Sequence, residues 1–204
     1  MKIILIRHGE TYANDLFHSE DRILIGALDT EIAQLNEKGK QQAIEAGKKL
    51  ENIQIDEIYS SDLGRTKETT SLVFPNREFK TTPLLRERSL GSDEGLTFTE
   101  VFSREGVWEY HVDSDVDSVE ECMNKKVIDG ECFQEVLERC HKFLSQFNFN
   151  EDKTIAVVGH FHLFRFMIYA LLNKQPDKEL FKMMIPNATP ITFEYKNEKF
   201  THVE

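Results

Sequence analysis

Two hydrophobic rhythms alternate along the chain. The segments KIILIRHG (2–9) and TIAVVGH (154–160) carry continuous apolar runs of the kind shown by strands buried on both faces, and each ends in a histidine. Between them the period lengthens. In LNEKGKQQAIEAGKKLENI, Asn36 is placed to cap a helix, and Ala43, Ile44, Gly47 and Leu50 share one face at steps of three or four. IDEIYSS then reads as a short strand, and DLGRTKETTSLVF as a helix that stops before Pro75. ECFQEVLERCHKFLSQF and FHLFRFMIYALLN are two further helices, and ITFEYK with its neighbour KFTHV closes the chain as strands. Strands alternating with helices predict a three-layer α/β/α arrangement around a mostly parallel central sheet. The rhythm breaks from about Gly95 to Asp129, an acidic, aromatic-studded stretch read as a cap insertion at about 95–129 within a single domain spanning 1–204.

Composition narrows the partners. The chain has 204 residues, 40% of them hydrophobic, enough to bury a sizeable core. Its formal net charge of −11 argues against nucleic acid or an anionic membrane, both of which need a basic face. Cys122, Cys132 and Cys140 are odd in number and form no C-x-x-C pair, so reduced thiols in a cytoplasmic protein are expected. The apolar start is too short for a signal peptide, and LFRFMIYALL, interrupted by Arg165, is too short for a membrane span.

Charge enters again where the strands end. In open α/β sheets ligands sit beyond the carboxyl ends of the strands. Arg7-His8-Gly9-Glu10 follows the first strand, Arg65 lies in the first turn of the helix after IYSS, and His160 follows IAVVG. Two arginines and two histidines at strand ends make a cationic pocket in an acidic protein, and phosphate is the dianion whose oxygens match guanidinium forks and helix-start amides. His18, His111, His141, His162 and His202 are assigned surface or packing roles, with His162 notable for its closeness to His160.

The motifs also resemble a known family. Arg7-His8-Gly9-Glu10-Thr11 with Asn14 is similar to the signature of the histidine phosphatase superfamily, the phosphoglycerate-mutase-like enzymes. LNEKGKQQA, SSDLGRTKET, RERSLGSDEG, DGECFQEVLERCHKF (with Cys132 in a serine position) and VVGHFHLFR follow that family's further motifs in order, out to about residue 170. The resemblance implies that His8 is the nucleophile, forming a phosphohistidine, and that Arg7, Arg65 and His160 hold the phosphoryl oxygens. It implies that Asn14 and the backbone around Phe161 add substrate contacts and that Glu87 protonates the leaving oxygen, a task requiring that burial raise its pKa against the neighbouring arginines. Glu10 is read as bracing the loop and Glu131 as a helix start or pocket neighbour. Arg86 and Arg88 face solvent or ligand, and Arg165 is expected against a carboxylate. No cofactor and no metal are implied: Arg7 and Arg65 repel a divalent ion, and no helical His-x-x-x-His pair is present.

Three departures bear on substrate. Phe161 replaces the family's glycine after the second histidine, Phe98 stands where mutases carry a lysine, and Glu109 and Tyr110 stand where they carry two arginines. The loss of these carboxylate grips favours hydrolysis of a small phosphorylated metabolite whose remainder is neutral, cationic or aromatic. The alternatives are a phosphoglycerate-mutase-type phosphotransferase and a phosphate-binding protein with impaired catalysis. Oligomeric state is left open.

Overall fold

Successive residues of the first strand enter opposite layers of the protein. The computed structural model describes residues 1–16, 22–103 and 118–203. In β1 (Lys2–Arg7), Ile3 and Leu5 join one buried cluster while Ile4 and Ile6 join another on the opposite face. A strand with both faces covered cannot alternate apolar with polar, which is why the sequence shows an unbroken run.

The chain continues through α1 (Tyr12–Asp15), α2 (Glu37–Leu50), β2 (Glu57–Ser61), α3 (Gly64–Val73), β3 (Lys80–Thr82), α4 (Phe98–Phe102) and α5 (Val119–Asn124). It ends with α6 (Phe133–Leu144), β4 (Thr154–Gly159), α7 (Phe161–Leu171), α8 (Lys178–Lys182), β5 (Pro190–Lys196) and β6 (Lys199–Val203). The six strands form one sheet in the order β3-β2-β4-β1-β5-β6. The first four run parallel, and β5 and β6 are antiparallel additions at the β1 edge. Helices α6, α7 and α8 contribute to the cluster on one face, α2 and α3 to that on the other. This is the expected α/β architecture. The polar, three-residue β3 was not anticipated; it pairs at the sheet edge, where no apolar run marks it.

Helix α2 corrects one detail. Asn36 caps it as expected, accepting from the Gly39 amide at 2.8 Å, a contact typically contributing about 1 kcal/mol. The buried face, however, is Gly39, Ala43, Ala46 and Leu50, and Ile44 is 38% exposed. The cause is backbone proximity: a Cβ on Gly39 would collide with the Glu10 carbonyl, and one on Gly47 would lie 2.7 Å from the Val73 carbonyl. The helix therefore turns its small residues inward.

Strand pairing sets the site. β1 and β4 align Arg7 with Gly159, and the His8 amide donates to the Gly159 carbonyl at 3.0 Å, extending the ladder one residue past the strand. His8 and His160 thus leave adjacent strand ends together. Within the 95–129 segment the described residues include α4 and α5, and Val101 of α4 packs with Leu24 and Leu90. Trp108, Glu109, Tyr110 and His111 lie outside the described residues, as does His18. No helix among the described residues is long and apolar enough to cross a membrane.

Candidate functional site

His8 is buried beneath the strand ends, with its Nδ1 2.7 Å from the Gly9 carbonyl oxygen. A carbonyl can only accept, so Nδ1 carries the ring proton and Nε2 keeps its lone pair. Burial, followed by the charges of Arg65 and Arg7, pushes the imidazole pKa well below its ordinary 6.5. At neutral pH the ring is uncharged. The Gly9 amide donates to Thr69 Oγ1 at 3.1 Å, tying this loop to α3.

The ring of His160 lies 5.2 Å from that of His8, centroid to centroid. Its Nδ1 accepts from Arg65 Nε at 3.3 Å, which places its own proton on Nε2. That Nε2 is buried and has no protein partner. Arg65 is buried in the first turn of α3, donating to the carbonyls of Leu28 at 2.7 Å and Gly26 at 2.8 Å. Arg7 donates Nη1 to the Ile185 carbonyl at 2.8 Å, while its buried Nε is unpartnered. Burial lowers the Arg7 pKa to about 10, with Glu87 opposing and Arg65 and Arg165 adding to the shift; the group remains charged at neutral pH. Two buried N–H groups thus await an acceptor beside an unprotonated imidazole nitrogen, the condition a bound oxyanion would satisfy.

Resting Glu87 does not have the raised pKa that the acid role requires. Burial does push it up, but the close contact and charge of the His162 ring, the His160 ring and the Arg88 amide outweigh that, holding it well below the usual carboxylate value. Oε1 accepts from the amides of Arg88 at 2.9 Å and Leu163 at 3.2 Å, and Oε2 from that of His162 at 3.2 Å. The resting group is a carboxylate on the N-terminus of α7, where the helix dipole favours negative charge. Of the amides after His160, those of His162 and Leu163 are engaged by Glu87.

A second network, invisible in the sequence, holds the loop that carries Glu87. Arg139 on α6 makes a two-point ion pair with Glu131, at 2.7 and 2.9 Å, and donates to the carbonyls of Leu84, Arg86 and Glu87. Glu131 also accepts from the Ser89 amide at 3.0 Å. Arg139→Met should therefore cost about 1–3 kcal/mol, since it strands a partly buried carboxylate and three carbonyls. An unchanged urea midpoint would show that the network carries no such load.

The remaining candidates separate. Asn14 Oδ1 accepts from the Thr11 amide at 3.3 Å and from Asn187 Nδ2 at 3.5 Å, leaving Asn14 Nδ2 to donate elsewhere. Asn187, which also donates to the His8 carbonyl at 2.9 Å, was missed: it lies 179 residues away in a Pro-Asn turn that nothing local connects to the site. Phe161 lies beneath two guanidinium groups, Arg7 at 4.9 Å and Arg165 at 4.2 Å, which hold the larger ring in place. Arg165 donates Nε to the Met183 carbonyl. Arg86 pairs with Asp62 and Arg88 is buried over the Phe133 ring, so Arg88 does not face solvent. Glu10 braces its loop through Lys38 and Asn36. Among the described residues, no cluster of three or more His, Cys, Asp or Glu side chains is placed to hold a metal ion.

Fold and site together define an α/β protein with a cationic, histidine-paired centre at the carboxyl ends of its central parallel strands. The chain belongs to the histidine phosphatase superfamily, branch 1, whose family model matches residues 3–204. It is 37% identical over 103 residues to 2,3-bisphosphoglycerate-dependent phosphoglycerate mutase 1 of Arabidopsis thaliana, covering 50% of this chain and 28% of that protein. It is 36% identical over 107 residues to a broad-specificity phosphatase of Saccharomyces cerevisiae, covering 49% and 43%. The chain thus spans less than half the length of each of these relatives. Among solved structures, phosphoserine phosphatase of Entamoeba histolytica in complex with 3-phosphoglyceric acid superposes with a TM-score of 0.80 at 26% identity, covering 100% of this chain and 95% of that one. The α-ribazole phosphatase of Shigella flexneri shares the fold with a TM-score of 0.81 at 21% identity, covering 100% and 95%.

Proposed function

We propose that this protein hydrolyses a small phosphomonoester through a phosphohistidine on His8, without a metal. The observation that carries the reading is the pairing of the locked Nδ1–H of His8 with two buried, unpartnered donors, Arg7 Nε and His160 Nε2. In the first step His8 Nε2 attacks phosphorus, the P–O bond to the alcohol breaks, and Glu87 delivers a proton to the leaving oxygen. Arg7, Arg65 and His160 hold the non-bridging oxygens, where charge spreads in the transition state. In the second step water attacks the phosphohistidine, Glu87 takes its proton, and phosphate departs.

Glu87 must gain its proton as the substrate arrives. The dianion neutralises Arg7 and Arg65 and sets negative charge beside the carboxylate, so its proton affinity rises on binding. We assign the described parts of the 95–129 insertion, α4 and α5, to a cap beside this centre. In α4, Phe98 stacks on Phe102 at 3.8 Å with the Arg22 guanidinium 4.7 Å from its ring, and both phenylalanines pack against the Leu24, Leu90 and Val101 cluster; a phenylalanine in place of the mutases' lysine supports a substrate without a second anionic group. The phosphatase likenesses in yeast and Entamoeba support hydrolysis, and the buried free cysteines suit a reducing compartment.

The test is turnover of p-nitrophenyl phosphate and a panel of phosphate esters in the presence of EDTA. Release of phosphate that survives chelation is expected. Phosphate binding without turnover would leave only the binding role, and phosphoryl transfer between phosphoglycerates would establish the mutase instead.

A further inference from the structure

The proposed chemistry leaves one gap: Glu87 rests as a buried carboxylate, yet the first step consumes a proton there. His162 stands beside it. The backbone amide of His162 donates to Glu87 Oε2, and its ring Nδ1 lies 3.7 Å from the same oxygen. The side chain of Glu87 is 11% exposed and that of His162 is 23% exposed, so the ring reaches farther toward solvent than the carboxylate. The Phe133 and Phe161 rings flank it at 5.7 and 5.2 Å, which limits its rotation and keeps Nδ1 turned to the carboxylate. A contact of 3.7 Å is longer than a hydrogen bond, and catalytic contacts of this kind tighten, or gain a bridging water, when ligand arrives.

We propose that His162 supplies and recovers the proton that Glu87 uses, a positioning and relay residue of the reaction described above, on which this inference rests. In the first half-reaction the imidazolium N–H bond of His162 breaks toward Glu87 Oε2, turning the carboxylate into a carboxylic acid, and that acid then gives its proton to the leaving oxygen and returns to carboxylate. The N–P bond to His8 forms and the P–O bond breaks. In the second half, water loses its proton to Glu87, which returns it to His162, while the N–P bond breaks. One proton is lent and one recovered, so the cycle closes with no other reactant. Imidazole suits this place because it is the side chain that changes charge between about pH 5 and 8.

The test uses leaving groups of increasing basicity. Purified wild type, His162→Gln and His162→Ala are compared by kcat/KM on p-nitrophenyl, phenyl and benzyl phosphate; this ratio reports the first half-reaction. If His162 feeds the leaving-group proton, the loss in both variants grows with the basicity of the leaving alcohol. It is smallest on p-nitrophenyl phosphate and about tenfold or more on phenyl and benzyl phosphate. Added imidazole restores part of the His162→Ala loss on phenyl phosphate. Equal losses on all three esters without imidazole rescue, or no loss, would overturn the relay and leave His162 a packing residue. Thermal melts of both variants matching wild type exclude a folding defect as the source of the loss. Wild type inactive on every ester would instead overturn the phosphatase reading itself, and the relay with it.

Discussion

Replacing His8 with alanine is expected to remove turnover of every phosphomonoester, lowering kcat by about 10,000-fold or more, at least ~5 kcal/mol of transition-state stabilisation. The size follows from the proposed role of His8: its unprotonated Nε2 is the nitrogen that the paired strand ends bring beside the unpartnered donors Arg7 Nε and His160 Nε2. Arg7, Arg65 and His160 keep their own backbone and ring partners in the variant, so inorganic phosphate should still bind. Rapid quench of the wild type during turnover should yield an acid-labile, base-stable phosphoprotein that the variant lacks. Full turnover by His8→Ala would end the phosphohistidine mechanism.

The same substitution has a signature in stability. His8 is held neutral with its native pKa below 6.5, chiefly by burial. As pH falls through 6.5 the unfolded chain takes up a proton that the native ring refuses, so the unfolded state binds more protons and stability declines toward the native pKa. His160, depressed in the same direction by burial and Arg65, adds to this acid sensitivity. His8→Ala deletes one of the two contributions. Its melting temperature in phosphate-free buffer should depend less on pH between about 6.5 and 5 than that of wild type.

What could be read from the sequence was whatever a strand end or a helix turn imposes locally. Arg7, His8 and His160 follow directly from two doubly buried strands, and Arg65 from the turn that opens α3. The sheet core was legible for the same reason, because burial on both faces leaves an unbroken apolar run. What depended on distant packing was not. Arg139 and Asn187 act on the site across gaps of 52 and 179 residues, with no periodicity to announce them. The resting ionisation of Glu87, for which burial and neighbouring cations were seen to pull in opposite directions, was not legible for a related reason. The arginines on either side of it are visible in the sequence, but the amides of His162 and Leu163 reach it only because α7 begins against the acid loop. Ile44 was assigned inward by hydrophobicity, whereas close backbone approach at Gly39 turns the helix so that alanines face the core.

Glu87→Gln should separate the two half-reactions. Glutamine keeps one oxygen for the three amides that Glu87 now accepts from, but it can neither give nor take the catalytic proton. On an alkyl phosphate the leaving oxygen is strongly basic, so the first step slows, and kcat should fall about 100- to 10,000-fold, the range of general acid catalysis. On p-nitrophenyl phosphate the leaving group departs without protonation and the first step survives. The attacking water then has no base, so phosphohistidine accumulates: a burst of nitrophenolate stoichiometric with enzyme, followed by slow turnover. The burst assigns Glu87 to both proton transfers. Slow turnover on both substrates without a burst would confine the role of Glu87 to holding α7 and the site in register. Unchanged steady-state turnover would show that the proton comes from elsewhere, and it would overturn the relay through His162 as well, whose ring reaches the reaction only by way of the carboxylate 3.7 Å away.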